Sequence, residues 1–306
     1  MTWVKGGLTM IKNYFSVGEA NHINNMNKEA QNVQLGSAVR TALMGDIGWK
    51  DDEKYYVDAV SGNDNNPGTS MDKPFKTIQK AVNVARWVPY TESIDTSRDR
   101  RKYIFIFPGQ YNEQVLFSGY NISLVGLGQR SNGDYGVVIN YDDAVAATAV
   151  IAFSGSGLEL SNLCIQCSQA LPIVFLDGVS DACHIHDCWI KGNAGKTPTF
   201  GICASIKNSL IENNIINGCA VGINVANGDW FNNSIIRRNK ITNVTDGINL
   251  ANGCIPTESE ISENKVVGST SSIVNGQATD VIITDNMVKP VESDAGSTSG
   301  NNTTLA

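Results

Sequence analysis

A short pattern that returns at a nearly constant interval constrains the fold of this chain more than any other feature. The pattern is an apolar residue, two polar residues, a small residue or asparagine, any residue, and a second apolar residue. It begins at five isoleucines whose positions differ by 26, 25, 25 and 22: Ile185, Ile211, Ile236, Ile261 and Ile283. Repeats of about 20–50 residues are typical of solenoids, in which each unit contacts only its neighbours.

A second column of residues keeps the same period. The segment Gly222-Ile-Asn-Val-Ala-Asn-Gly228 returns one period later as Gly247-Ile-Asn-Leu-Ala-Asn-Gly253, and Ile273 follows Ile248 at the same interval. The strands in each unit are too short to pair within one coil, so strands of successive units must pair in parallel. The sequence therefore predicts an all-β chain that folds as a single-stranded parallel β-helix with about 25 residues per coil.

Four asparagines occupy the small position of the repeat: Asn214, Asn239, Asn264 and Asn286. In a stack of coils they would lie above one another at a turn, where side-chain amides can hydrogen-bond along the column. Asparagine also tolerates the left-handed backbone that such a corner needs, so we expect that conformation at these positions. We interpret the four residues as a scaffold ladder and not as a functional site.

The segment that precedes Tyr55 differs in character from the rest of the chain, being polar and rich in asparagine. Within it, Ser37 is suited to cap the start of a helix and Gly45 to end it, which predicts a short helix over residues 37–44. The segment has too few apolar residues to fold alone. We therefore predict an extended N-terminal arm, residues 1–54, that becomes ordered against a partner surface.

A second helix is predicted over residues 77–87, ahead of the first long strand. Its apolar residues share one face: Ile78, Ala81, Val82 and Ala85. The open end of a β-helix exposes unpaired strands, and this helix is placed to cover the N-terminal end. The β-helix domain is then residues 55–290. Residues 291–306 consist mainly of small polar residues, which predicts a flexible C-terminal tail.

Three segments near the start of this domain carry a family resemblance. They are Tyr56-Val-Asp-Ala-Val-Ser-Gly-Asn-Asp-Asn-Asn-Pro-Gly-Thr69, Pro74-Phe-Lys-Thr-Ile-Gln-Lys-Ala-Val82, and Phe107-Pro-Gly-Gln-Tyr111 followed by Glu113 and Val115. Together they resemble the opening of right-handed parallel β-helix proteins of the pectin-lyase-like superfamily. The resemblance covers about residues 55–288 and implies that fold.

The resemblance does not imply one function, because the superfamily includes lyases, hydrolases, tailspikes and non-catalytic virion proteins. An asparagine-rich arm ahead of the opening resembles bacteriophage virion proteins more than secreted polysaccharide lyases. We also see neither a secretory signal nor an apolar stretch long enough to span a bilayer, since residues 144–153 form the longest nearly uncharged one. The expected location is therefore the virion, after synthesis in the host cytoplasm.

The charge balance argues against two classes of partner. Lys and Arg number 23 and Asp and Glu number 30, which gives a formal net charge of −7. Such a chain is repelled by phosphate backbones and anionic lipid, so we expect neither nucleic acid nor a membrane as a partner. No cofactor is expected.

Seven cysteines lie between Cys164 and Cys254, and several alternate with aliphatic residues. We interpret them as reduced and buried, because an odd number cannot pair completely and cysteine behaves as a small apolar residue. The Cys164-x-x-Cys167 spacing could suggest a metal or redox pair, but no second such pair or suitably spaced histidine accompanies it. Two imidazoles, His184 and His186, share one side of a strand; we favour a surface or subunit contact over a metal site for them.

Catalysis on this scaffold would require carboxylates gathered on one exposed face. Asp142 and Asp143 form a turn without a matching column of carboxylates. Signatures of polygalacturonase-like enzymes and pectate lyases are absent, which leaves no catalytic residue to predict. If the protein does cleave a polysaccharide, Asp187 and Glu212 are the candidates, with Trp189 and Trp230 to hold the glycan.

Aligning the repeats places opposite charges beside each other in two outward columns, Glu212 with Arg237 and Arg238 with Glu263. Exposed pairs of this kind are typical of a solvated ladder. The favoured hypothesis is thus a non-enzymatic virion structural protein, most simply a homotrimeric capsid decoration protein whose arm contacts capsid or tail proteins. The alternatives are a short tailspike that binds or cleaves host surface polysaccharide and a non-catalytic glycan-binding module.

Overall fold

The computed structural model describes residues 53–86, 101–128, 136–142, 148–193, 197–226, 228–275, 280–289, 298–299 and 303–304. The N-terminal arm up to residue 52, with its predicted helix over residues 37–44, lies outside the described residues, as does Asp143. The described part is an all-β parallel solenoid with one short helix and about 25 residues per coil. The predicted right-handed parallel β-helix is therefore confirmed.

The described residues form 26 strands and one helix. In chain order these are β1 (Glu53–Val57), α1 (Ile78–Ala85), β2 (Lys102–Ile106), β3 (Gly109–Asn112), β4 (Val115–Tyr120), β5 (Ile122–Gly126), β6 (Val137–Tyr141), β7 (Ile151–Ser156), β8 (Glu159–Ser161), β9 (Cys164–Cys167), β10 (Val174–Asp181), β11 (His184–His186), β12 (Trp189–Gly192), β13 (Phe200–Lys207), β14 (Leu210–Glu212), β15 (Ile215–Asn217), β16 (Val221–Val225), β17 (Trp230–Asn232), β18 (Ile235–Arg237), β19 (Lys240–Leu250), β20 (Ile255–Thr257), β21 (Ser259–Ser262), β22 (Lys265–Asn275), β23 (Val281–Thr284), β24 (Met287–Lys289), β25 (Thr298–Ser299) and β26 (Thr303–Thr304).

The strands form two parallel sheets, each of which takes strands from successive coils. The first sheet has ten strands in the order β1-β2-β5-β8-β11-β14-β18-β21-β23-β25. The second has 16 strands, of which eleven follow the order β3-β6-β9-β12-β15-β19-β16-β13-β10-β7-β4. The other five, β17, β20, β22, β24 and β26, are attached beside this path.

Both sequence columns are strand partners in the structure. The five repeat isoleucines align across β11, β14, β18, β21 and β23 of the first sheet. In the second sheet, Ile223 pairs with Ile248, which in turn pairs with Ile273. All of these isoleucines are at most 5% exposed. Burying one such side chain contributes about 1.5–3 kcal/mol, so the aliphatic columns form the core of the solenoid.

Glycine recurs in the second column because successive coils approach closely there. A methyl group added at Gly222 would lie 2.5 Å from the carbonyl oxygen of Gly247. One added at Gly201 would lie 2.6 Å from the carbonyl oxygen of Gly222. Both distances are too short for carbon and oxygen, so any larger residue would push neighbouring coils apart.

The ladder asparagines are buried at the corners that follow β14, β18, β21 and β23 of the first sheet. The side-chain oxygen of Asn239 accepts hydrogen bonds from the backbone and side-chain nitrogens of Asn214, at 3.1 and 3.0 Å. Asn264 and Asn286 repeat the same contacts for the members that precede them. The side-chain amides therefore form a continuous hydrogen-bonded column between coils.

The prediction of a left-handed backbone at these asparagines was wrong, because that conformation occurs one residue earlier. The residue before each corner position adopts the left-handed conformation, with φ between 52° and 55°: Asp187, Asn213, Arg238, Glu263 and Asp285. The turn places this residue outside, where a variety of side chains can occupy it. The following asparagine points inward, and its amide satisfies backbone groups that the turn leaves unpaired.

A second ladder, of serines, lies at the opposite end of three of these strands, β14, β18 and β21. The side-chain oxygen of Ser209 accepts from the backbone nitrogen of Cys183 at 2.9 Å. Those of Ser234 and Ser259 accept from the serine nitrogen of the preceding coil, each at 3.1 Å. Each strand of this region is therefore held at both ends by side-chain hydrogen bonds to its neighbours.

Helix α1 covers the edge of the second sheet at β4. It begins after Thr77, whose side chain caps Lys80, and it buries Ile78, Ala81, Val82 and Ala85 as its sequence predicts. The side chain of Gln79 donates to the carbonyl oxygen of Leu116 at 3.0 Å and accepts from its nitrogen at 2.7 Å. This side-chain amide therefore forms hydrogen bonds with backbone groups of the edge strand β4, as a neighbouring strand would.

The C-terminal segment continues both sheets. Within the predicted tail, Thr298 and Ser299 pair with Ile282 and Ile283, and β26 pairs with β24. Threonine favours strands, and the last full coil offers unpaired backbone groups to which short segments can add. The remainder of residues 291–306 lies outside the described residues.

Candidate functional site

A group of charged and polar side chains lies on the outward side of the first sheet. Because Leu160, Ile185, Ile211 and Ile236 point inward, their strand neighbours point outward. Strand register places His186 beside Glu212 and Glu212 beside Arg237, while Glu159 faces His184. We call the group the histidine cluster; it comprises Arg101, Ser123, Glu159, His184, His186, Asp187, Glu212 and Arg237.

One half of the cluster surrounds Glu159. His186 Nε2 lies 3.3 Å from one carboxylate oxygen of Glu159. The other oxygen accepts a hydrogen bond from the Ser123 hydroxyl at 2.6 Å and lies 3.3 Å from Arg101 Nη1. The hydrogen bond from His186, with those from Ser123 and the charge of Arg101, lowers the pKa of Glu159 to about 2.

The other half surrounds Glu212. His184 Nε2 lies 3.1 Å from one of its oxygens, and Arg237 Nε donates to the other at 2.9 Å. Burial alone would raise the pKa of Glu212, but the hydrogen bonds and charges of Arg237 and His184 hold that pKa below its ordinary value. The predicted neighbour pair of Glu212 and Arg237 is thus a formed ion pair.

The two imidazoles link these halves. Their ring centroids are 4.0 Å apart and the ring planes differ by 29°, so the rings are stacked. His186 Nδ1 also lies 2.8 Å from the carboxylate of Asp187. The hydrogen bond to Glu159 and that to Asp187 raise the pKa of His186, whereas burial and the charge of His186 lower the pKa of His184.

This arrangement holds carboxylates as anions and binds them to cations. A general acid for glycosidic cleavage needs a carboxyl group with a raised pKa. Glu159 and Glu212 have lowered pKa values, so neither is suited to donate a proton at neutral pH. The cluster can form hydrogen bonds with a polar ligand. Its own hydrogen bonds and ion pairs, however, join side chains of neighbouring strands into a cross-strand network.

The residues that the sequence grouped as a glycan patch lie on strands and turns of both sheets. Asp187 and Glu212 both belong to the histidine cluster, each bound to a different imidazole. Trp189 lies on β12 and Trp230 on β17, two strands of the second sheet. The patch of four residues is therefore spread over both sheets.

Each tryptophan lies beneath a lysine ammonium group. Lys191 Nζ is 4.3 Å from the ring centroid of Trp189, and Lys207 Nζ is 4.1 Å from that of Trp230. The Trp189 indole nitrogen also donates to the side-chain oxygen of Asn217 at 3.2 Å. These contacts are cation–π pairs that a stacking sugar ring would have to displace.

Two carboxyl groups in the described residues have raised pKa values: Glu113 and Asp229. Burial raises the pKa of Glu113, although its oxygens accept from the Ile78 and Gln79 nitrogens, both at 2.9 Å. Glu113 therefore provides acceptors for backbone N–H groups in the first turn of helix α1. Burial also raises the pKa of Asp229, and the charge of Asp177 adds to the effect.

The remaining charged candidates have structural contacts. Arg238 pairs with Glu263, and both side chains are 49% exposed, so the pair contributes little stability. The side chain of Asp142 accepts from the Ser168 backbone nitrogen at 3.1 Å and the Asn140 amide at 2.8 Å, which ties one coil to the next.

Six of the seven cysteines are buried and all seven are free; Cys254 is partly buried. Burial raises the pKa of several of the thiols, to about 12 for Cys188. Within the described ranges, no group of three or more His, Cys, Asp and Glu side chains could hold a metal ion. In the same part of the chain no helix has the length and apolar character to cross a membrane.

Sequence reasoning missed Glu159, Ser123 and Arg101. The first had a signal: Glu159-Leu-Ser161 precedes His184-Ile-His186 by one period of the repeat. Its coil departs from the six-residue pattern, because Leu163 occupies the position of the small residue or asparagine. Arg101 lies just before β2, far from the repeats, and only the stacked coils bring it to Glu159.

Comparisons with known proteins agree with the fold. No family model and no curated protein matches the sequence. Among solved structures, pectate lyase Pel9A is 12% identical with a TM-score of 0.51, over 85% of this chain and 78% of that chain. This likeness shows a shared fold and carries no information on activity.

Two other similar structures differ in kind from each other. The pectin methylesterase from Aspergillus niger is 13% identical, with a TM-score of 0.44 over 84% of this chain and 87% of the enzyme. ORF18 of Geobacillus virus E2 is also 13% identical, with a TM-score of 0.45 over 82% of this chain and 60% of the viral protein.

Proposed function

We propose that this chain is a non-enzymatic structural protein of a bacteriophage virion, a homotrimeric capsid decoration protein attached through its N-terminal arm. The observation that carries the proposal is the pairing of the two outward glutamates of the histidine cluster. Each is held between an arginine and an imidazole from neighbouring coils. Such cross-coil pairs stiffen a scaffold, and they leave neither glutamate protonated for catalysis.

Exposed apolar side chains support association between copies. Among the described residues of the last coils, Ile255, Ile282 and Met287 are 39%, 54% and 41% exposed. Lateral contact between copies would bury this apolar surface, and closed rotational symmetry is the usual outcome for identical subunits. A trimer held through the β-helix leaves the arm available for capsid or tail proteins.

Removal of the arm should separate assembly from attachment. Because β1 begins at Glu53, the truncation should remove residues 1–52 and keep the first strand intact. We expect the truncated protein to remain trimeric by light scattering and to lose binding to virions that lack the full-length protein. The variant Leu43→Asp, which places a charge within the predicted helix over residues 37–44, should likewise lose attachment at full length. A folded monomer that still binds virions would contradict both parts of the proposal.

The second candidate function is a short tailspike that binds or cleaves host surface polysaccharide. The observation that favours it is Asp229, whose pKa is raised by burial and which directly precedes Trp230. A carboxyl group with a raised pKa, next in sequence to an aromatic residue, is a candidate general acid for glycoside cleavage. The low pKa of Glu159 and Glu212 argues against catalysis in the histidine cluster itself.

Assays on host polysaccharide distinguish the two functions. We expect no new reducing ends and no unsaturated uronate when the protein is incubated with capsular polysaccharide or lipopolysaccharide. The variants Asp229→Asn, Glu212→Gln and Asp187→Asn should then behave like the parent protein. Turnover that any of these substitutions abolishes would establish the tailspike and exclude the structural proposal.

A further inference from the structure

We propose that the pair of His184 and His186 carries one excess proton, held on His186, and that this pair is a pH-sensitive clasp between coils of the first sheet. The clasp connects four successive strands, β8, β11, β14 and β18, through side chains alone. This role is independent of whether the protein is a capsid or a tail component.

The number of hydrogen bonds between imidazole nitrogens and carboxylates determines how many protons the two rings must carry. Three ring nitrogens face carboxylates: His186 Nδ1 faces Asp187, His186 Nε2 faces Glu159, and His184 Nε2 faces Glu212. Each contact needs an N–H group. Two neutral imidazoles have two N–H groups in total, and one additional proton gives three. The singly protonated pair therefore satisfies all three contacts.

Addition of a second excess proton to the histidine pair would be unfavourable. That proton would have to bind His184 Nδ1, and no contact joins that atom to a carboxylate among the described residues. It would also put two positive rings at a centroid distance of 4.0 Å. Counting the charged groups that face the rings, Arg101 and Arg237 oppose Glu159, Asp187 and Glu212, so one imidazolium balances the cluster.

Loss of the excess proton from His186 is unfavourable as well. It would leave Glu159 and Asp187 with one N–H group of His186 between them. The pKa values follow this reasoning: hydrogen bonds to Glu159 and Asp187 raise that of His186, and burial and the charge of His186 lower that of His184. Both glutamates stay ionised throughout the pH range in which imidazoles titrate, because their pKa values are lowered.

The two shifts act on stability in opposite directions. A raised pKa means that the His186 contacts stabilise the fold fully below the ordinary histidine value and lose that effect as the pH rises through the raised value. A lowered pKa means that neutral His184 stabilises the fold above the ordinary value and loses that effect as the pH falls. Opposite shifts of similar size sum to a maximum in stability at about pH 6.5, the ordinary histidine pKa.

Thermal unfolding of the full chain between about pH 5 and pH 8 tests the clasp. We expect the melting temperature to peak near pH 6.5 and to fall by about 2 °C or more on each side. His184→Gln should flatten the acidic limb and keep the alkaline limb, because glutamine can still donate to Glu212 without taking a charge. His186→Gln should flatten the alkaline limb.

The third histidine of the chain, His22, provides a matched control, and His22→Gln should leave both limbs in place. Titration of the imidazole resonances in the unmodified protein gives a readout that does not depend on any variant. His186 should titrate above pH 6.5 and His184 below it. A melting temperature that changes in one direction only across the range, or two imidazoles with equal pKa values, would overturn the proposal.

Discussion

Replacement of Ile236 by aspartate is expected to lower the free energy of unfolding by about 4 kcal/mol or more, enough to unfold many domains. Ile236 is fully buried, and its strand partners are the equally buried Ile211 and Ile261. A carboxylate at this position would lie among aliphatic side chains that offer it no hydrogen bond. Thermal or urea unfolding followed by circular dichroism measures the effect.

Ile235 on the same strand provides the matched control. Its side chain points to the outer side of the first sheet and is partly exposed, between Leu210 and Glu260 on the adjacent strands. Ile235→Asp introduces the same group one residue away, where water can solvate it, so we expect a loss of about 1 kcal/mol. Equal losses at the two positions would show that the strand has a different orientation from the one described.

The core of this fold was predictable because its residues recur in the sequence at the period of the coil. A buried isoleucine in one coil requires a buried residue at the same place in the next, so Ile211, Ile236 and Ile261 record the register directly. The helix over residues 78–85 was predictable for a similar reason, because its apolar residues recur at helical spacing.

Features whose residues do not recur from coil to coil could not be predicted from the repeat. The left-handed residue of each corner is a different amino acid in successive coils, Asn213, Arg238 and Glu263, so no pattern marks it. The left-handed conformation was instead predicted for the asparagine that follows this residue, because that asparagine recurs in the sequence. Glu159 on β8 meets Arg101, which precedes β2, across the intervening strand β5, and the two residues are 58 positions apart in the chain.

The separation of Trp189 from Glu212 has the same origin. The two residues belong to adjacent coils in the sequence, but the asparagine corner lies between their strands. A turn of this kind changes the direction of the chain, and residues on its two sides therefore face different surroundings. Proximity in the repeat alignment thus predicted strand partners correctly and shared faces less well.

The second large effect is expected for Asn239→Ala, in the middle of the buried ladder. The Asn239 amide nitrogen donates to the carbonyl oxygens of Ile211 and Arg237, at 2.9 and 3.0 Å, and to the side-chain oxygen of Asn264 at 3.1 Å. Its oxygen accepts two hydrogen bonds from Asn214. Alanine removes all five contacts and takes the acceptor away from the buried backbone N–H of Asn214.

Each unsatisfied buried group costs about 1–3 kcal/mol, and the chain of amides makes the loss cooperative, so we expect Asn239→Ala to lower the free energy of unfolding by about 3–4 kcal/mol. The control is Asn233→Gly, at the opposite corner, where an exposed amide donates to Asn208 at 2.7 Å. Glycine tolerates the left-handed backbone of Asn233, so this change should cost at most about 1 kcal/mol. If the two variants unfolded at the same denaturant concentration, the buried ladder would contribute no more than a surface hydrogen bond, and the stability of the solenoid would have to come from its aliphatic columns alone.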